Sequence, residues 1–223
     1  MAEARVFDGE PLLRDLEAAG LRLGDAAMLR IFKREKRLEL WMAPEDGPFR
    51  LFRSYPIAAF SGGEGPKLAE GDRQAPEGFY RVGRGQLNPR SRHHRAFNLG
   101  FPNACDRQLG RTGSLLMVHG GSSSAGCYAM TDAKIDEIYR VVEAALHAGR
   151  AAVDVHAFPF RFSEAALAAA AGSPWSGFWR NLAEGDALFL ASGQPPPVAA
   201  RDGTYRFGAD AAAPGSEPIL PWD

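Results

Sequence analysis

His119 and Cys127 are the two residues whose types and spacing could do chemistry together. A thiol is a strong nucleophile as its thiolate, and an imidazole is the side chain suited to take that proton near neutral pH. Between them runs Gly120-Gly121-Ser122-Ser123-Ser124-Ala125-Gly126, which has almost nothing to bury. Core packing does not account for such a segment. Its glycines permit sharp bends and let backbone N–H groups converge on one point. A thiol, a base and converging donors are the parts of acyl transfer through a thioester. Spacing alone leaves open a small buried thiol and a structural imidazole. A zinc site would need four ligands, and nothing in the spacing calls for His93 and His94 as the other two.

Elements must bring the pair together. The apolar run at 115–118 suits a short buried strand that ends at His119. Beyond the cysteine, Thr131 or Asp132 can cap a helix running to about His147, where Ile135, Ile138, Tyr139, Val142 and Leu146 recur at helical spacing. Gly149 stops it, and 151–155 reads as a strand expected beside the one that carries His119. Upstream, an amphipathic helix over 11–20 precedes strands at 28–32 and 37–42, joined by Lys33-Arg34-Glu35-Lys36, a charged turn expected in solvent. A third strand region at 49–57 completes an antiparallel meander. Short strands follow at 79–82 and 97–102. From Ser163 the composition changes: helices are expected over 164–171 and 175–182, then the tract Pro195-Pro196-Pro197 and an extended tail from Pro214.

Composition narrows the class. With 45% hydrophobic residues over 223 positions, the chain can bury a sizeable core. A net charge of −1 argues against a broad nucleic-acid surface. No run approaches the roughly 18 apolar residues of a membrane span. Cys105 and Cys127 are the two cysteines, too few for a disulfide framework, and a bond between them would block the nucleophile. The glycine-rich stretch 62–71 lacks a following Gly-Lys-Ser/Thr and is interrupted by Pro66, so it is not a phosphate loop. No Cys-x-x-Cys pair supports thiol redox chemistry.

Ser124-Ala125-Gly126-Cys127-Tyr128-Ala129-Met130 after His119-Gly120 resembles the signature of the L,D-transpeptidase (YkuD-type) family. Further pieces in order are similar to its YafK-like murein branch: Gly65-Pro66-Lys67, Glu70-Gly71-Asp72, Pro76-Glu77-Gly78-Phe79-Tyr80, Leu87-Asn88-Pro89, Phe97-Asn98-Leu99-Gly100-Phe101-Pro102-Asn103 and His156-Ala157-Phe158-Pro159-Phe160-Arg161. The likeness covers about residues 28–162. Ala125 and Ala129 stand where the wider family has His and often Arg, and the gap between the two motif elements is shorter.

The resemblance implies an α+β, mainly β catalytic domain: a mixed β-sheet sandwich with peripheral helices. The expected division is a helical lead-in over 1–27, the catalytic domain over 28–162, and a helical C-terminal extension over 163–223. It implies a cysteine-dependent, cofactor-free, metal-free enzyme. Cys127 is the nucleophile and His119 the base, with the Gly120 carbonyl holding the imidazole. Gly126 and Cys127 are expected to donate the oxyanion hole. The implied partner is a peptidoglycan stem peptide, contacted by candidates Tyr80, Asn98, Arg111, Ser124, Tyr128 and His156, with Arg107 as a further cation. Transpeptidation and hydrolytic release of a peptidoglycan-linked lipoprotein both stay open, as does a non-catalytic peptidoglycan-binding module. The first residues show no apolar signal region, whereas the resemblance implies the periplasm, so an export signal is expected outside this stretch.

Overall fold

The computed structural model describes residues 9–45 and 47–222. The first eight positions of the expected lead-in, and the last residue of the expected tail, lie outside the described residues. The chain runs α1 (Glu10–Ala18), β1 (Ala26–Phe32), β2 (Arg37–Ala43), β3 (Arg50–Pro56), β4 (Ala59–Phe60), β5 (Gly78–Val82), β6 (Leu87–Ser91) and β7 (His94–Asn98). It continues with α2 (Ala104–Gln108), β8 (Met117–His119), β9 (Tyr128–Ala129), α3 (Asp132–His147) and β10 (Val153–Phe158). The remainder is α4 (Glu164–Ala169), α5 (Ser176–Ser192), β11 (Val198–Arg201), β12 (Thr204–Phe207) and β13 (Glu217–Pro218).

Among the described residues three sheets result, ordered β3-β2-β1-β10-β5, β4-β9-β8-β7-β6 and β12-β11-β13. The first begins with the expected antiparallel meander, then β10 adds parallel to β1 and antiparallel to β5. This corrects the expected place of the strand after α3. It lies in the first sheet, whereas β8, which carries His119, lies in the second. Residues Val153, Val155, His156, Ala157 and Phe158 of β10 are all buried, because both faces of that sheet are covered.

Period-two alternation sorts the strands onto those faces. Leu29, Ile31, Leu38, Leu40, Val82 and Val155 join Phe97, Val118, Tyr128 and the inner face of α3 in one apolar core. Ile135, Ile138, Tyr139, Val142 and Leu146 of α3 are all buried, as their spacing requires. Leu12 and Leu16 of α1 close the same core. The opposite face carries Phe32, Phe79 and Phe158, which pack with Trp179, Leu182 and Tyr205 in a second cluster beneath the C-terminal segment. A buried ion pair, Arg30–Asp186, lies between that face and α5.

Two elements depart from expectation. Lys33 is buried rather than solvated: its ammonium bonds Glu77 Oε1 at 2.9 Å and the Gly65 carbonyl at 2.8 Å. The C-terminal segment is not helical throughout, for after α5 it adds the three-stranded sheet. Its hairpin turns at Asp202 (φ 54°) and Gly203 (φ 69°). Two positive φ values in succession are what Asp-Gly supplies to a hairpin turn, a signal the compositional reading passed over.

Candidate active site

β8 and β9 are parallel neighbours, with Val118 opposite Tyr128 and His119 opposite Ala129. Parallel strands normally need a crossover of a dozen or more residues. Here the chain returns within residues 120–127, which explains the glycines. Gly121 and Gly126 have φ of 72° and 103°, open to residues without a Cβ. A Cβ on Gly120 would stand 2.6 Å from both Asp132 Oδ1 and the His93 carbonyl. The loop is pinned at that point: the Gly121 amide donates to Asp132 Oδ1 at 2.8 Å, and the Gly120 amide donates to the Arg95 carbonyl at 3.1 Å.

This return brings the thiol and the imidazole into one cleft of about 890 Å³. Cys127 Sγ accepts from the Met117 amide at 3.4 Å and reaches the Leu115 carbonyl at 3.5 Å. His119, two residues along β8 from Met117, faces the same side of the strand. Its Nδ1 lies 2.5 Å from the Gly120 carbonyl. A carbonyl only accepts, so Nδ1 holds the proton and Nε2 is the basic nitrogen. The His93 ring stacks on the His119 ring at 4.7 Å between centroids.

Burial pushes the Cys127 thiol up from its ordinary value, against the Met117 amide and the Lys67 charge, which pull it down. Burial also pushes His119 down, opposed by the Gly120 carbonyl and aided by His93. Both groups therefore rest neutral near pH 7. Leu115, on the cleft rim, has φ 54° and a side chain 65% exposed. An exposed leucine in the left-handed region is costly, and such strain collects at functional sites.

Of the expected oxyanion donors, the Gly126 amide is already engaged, donating to Ser61 Oγ at 2.6 Å. Ser61 in turn donates to the Arg73 carbonyl at 2.6 Å, so the Gly126 amide is held toward that loop. The Cys127 amide is the remaining candidate of the two.

Among the expected substrate contacts, Ser124 lines the cleft, its hydroxyl donating to the Cys127 carbonyl at 2.6 Å. The others are built into the structure elsewhere. Tyr80 is buried and its hydroxyl contacts Asp106 Oδ2 at 3.1 Å. Arg111 Nη1 pairs with Asp106 Oδ1 at 2.8 Å, and its guanidinium lies 4.6 Å from the Phe178 ring. Asn98 Oδ1 accepts from the Gly100 amide at 2.8 Å. Tyr128 donates to the Pro76 carbonyl at 2.7 Å from within the core. His156 is buried among Phe79, Phe158 and Phe189 on the opposite face of the first sheet. Arg107 pairs with Glu217 at the surface. Each has polar or aromatic partners that sequence spacing does not reveal, and none lines the cleft.

In their place the cleft is walled by Asn88, Arg90, Ser91, Arg92 and His93 from the β6–β7 hairpin. The run of basic residue types in Arg90-Ser91-Arg92-His93-His94-Arg95 was the available signal.

A family model described as the YkuD L,D-transpeptidase catalytic domain matches residues 29–156. YafK of Escherichia coli (strain K12), provisionally named an L,D-transpeptidase, is 43% identical over 183 residues, covering 82% of this chain and 74% of that protein. Two crystal structures of Pgp2, the helical cell shape determining protein from Campylobacter jejuni, align with a TM-score of 0.50 and 23% identity. They cover 74% and 79% of this chain, which spans 56% and 66% of theirs. That likeness is one of fold.

Proposed function

The chain belongs to the YkuD-type L,D-transpeptidase catalytic-domain family, and from that premise we propose that it is a peptidoglycan-acting acyl-transfer enzyme that uses Cys127 as nucleophile and His119 as base. The observation that carries this reading is the shared cleft: sulfur and imidazole line one opening, each fixed by a backbone group. The stem peptide is the acyl donor. His119 Nε2 takes the thiol proton as Sγ attacks the donor carbonyl, and the carbonyl electrons move to oxygen. Collapse breaks the C–N bond, and His119 returns the proton to the leaving amine. The product is a thioester on Cys127.

Because the thiol rests neutral, proton removal accompanies attack rather than preceding it. The Cys127 amide would face the developing oxyanion, and one such donor contributes about 3 kcal/mol in the transition state. An incoming amine then completes transpeptidation, with His119 as base again. Hydrolysis is a second reading, favoured by the exposure of Leu115, Ser123 and Ala125 at the cleft mouth, which lets water reach the thioester. Action on peptidoglycan places the protein in the cell envelope, the periplasm where there is an outer membrane. The division into lead-in, catalytic domain and C-terminal extension is part of the proposal, supported by the family match over 29–156 and the separate cluster under α5.

Purified sacculi digested with the wild-type protein and with Cys127→Ala, followed by muropeptide mass analysis, test it. New cross-links made only by the wild type support transfer; loss of existing links supports hydrolysis. Identical muropeptides from both proteins would refute an enzymatic role and leave the binding-module reading.

A further inference from the structure

The basic residues of the β6–β7 hairpin fall into two sets. His94 Nε2 and Arg95 Nε lie 2.8 and 3.3 Å from Asp136 Oδ1, so both side chains already have a carboxylate partner. Arg90 and Arg92 are exposed, line the cleft, and have no partner among the described residues. Among the described residues no aspartate or glutamate lines this opening, whereas these two arginines do. Arg90 and Arg92 thus set positive charge in the cleft that no carboxylate among its lining residues offsets.

A guanidinium offers a planar fork of donors matched to a carboxylate, and a charge-assisted pair of this kind is among the stronger hydrogen bonds. Two such forks one residue beyond neighbours on a hairpin, at the mouth of a cleft without acids, are complementary to two negative charges on one ligand. Asn88, on the same wall, adds a neutral amide for a peptide group. Leu115 and Met117 also line the cleft, with the Leu115 carbonyl and the Met117 amide against Cys127 Sγ.

We propose that Arg90 and Arg92 form a carboxylate-reading site that selects an acyl-donor peptide bearing two free carboxylates and holds its scissile carbonyl over Cys127. This rests on the reading of the cleft as an acyl-donor site, and assigns to the hairpin the recognition role expected of Arg111 and His156.

Binding can be measured without turnover. Cys127→Ala is titrated with a fluorescent tetrapeptide carrying two free carboxylates, and with the same peptide amidated at both, by anisotropy at low and high salt. The free acid is expected to bind about 100-fold tighter at low salt, with the gap narrowing as salt screens the charges. Arg90→Gln and Arg92→Gln should each remove about tenfold of that preference, and the double variant all of it. Arg180→Gln, an exposed cation on α5, should leave the preference unchanged. Both arginines are exposed, so unchanged melting is the folding control. Equal affinity for the two peptides, or a preference that survives in the double variant, overturns this proposal and leaves the acyl-transfer reading standing. If neither peptide binds, the acyl-donor reading of the cleft fails and takes this proposal with it.

Discussion

At Cys127 and His119 the chemistry depends on which group holds the proton at rest. Burial raises the thiol and lowers the imidazole, so the pair differs from a preformed thiolate–imidazolium couple. The proposed mechanism needs a neutral His119 as base and a protonated thiol as its partner. The acid limb of kcat/KM should therefore lie below the ordinary histidine value of 6.5, and the alkaline limb above the ordinary thiol value of 9.0. A steady-state pH profile checks both limbs, and alkylation of Cys127 by iodoacetamide should be slow at neutral pH and rise beyond that thiol value. Gly120→Ala tests the loop. The added methyl meets two oxygens at 2.6 Å, so the Gly120 carbonyl must turn and release His119 Nδ1. Activity should fall about tenfold or more, roughly the cost of misplacing a base, while a full-length folded protein still purifies.

At the scale of elements, α3 and β10 hold the two sheets in place. Ile138 is fully buried on α3, and Ile138→Ala should cost about 2–5 kcal/mol in urea unfolding. On β10, His156 is held neutral: burial, with the Arg30 charge beside it, lowers its value to about 3. Its Nδ1 has no hydrogen-bond partner among the described residues. An unfolded histidine takes up a proton near its ordinary value of 6.5, whereas the folded one does not until about 3. The unfolded state thus binds more protons in that window, and stability falls as pH falls through it, by about 1.4 kcal/mol per unit. His156→Gln should flatten this part of the slope relative to wild type, as read from urea midpoints at successive pH values. These elements were largely legible in the sequence: the period of α3 and the alternation in β1 and β2 are set by which side chains must leave water. The pairing of β10 was not, because a strand alone does not state which sheet edge it will join. The same holds for β11 and β12, except that their Asp-Gly turn was readable and carried the hairpin.

At the scale of the molecule, the C-terminal segment is fastened to the first sheet by Arg30–Asp186, where both side chains are almost wholly buried. Such a pair costs much to desolvate, so its removal on one side leaves a stranded charge. Asp186→Ala should lower stability by about 3–5 kcal/mol, whereas Arg30→Met with Asp186→Leu should restore most of it. Chemical denaturation of the three proteins checks this, and equal losses in single and double variants would show that packing rather than charge is at stake.

The thiol, the imidazole and the short glycine loop between them could be picked out from sequence because they are near neighbours along the chain, and folding sets both side chains in one cleft. The family's order of motifs carried the fold for the same reason, through residues 29–156. The walls of the cleft were decided elsewhere. Tyr80, Arg111, Tyr128 and His156 look like ligand contacts until tertiary packing supplies Asp106, a Pro76 carbonyl or an aromatic cage as their partners. Arg90 and Arg92 look like ordinary surface cations until the β6–β7 hairpin folds beside β8 and leaves them lining the cleft that holds the thiol. A side chain's type is written in the sequence, but whether its polar atoms are already satisfied depends on residues far along the chain.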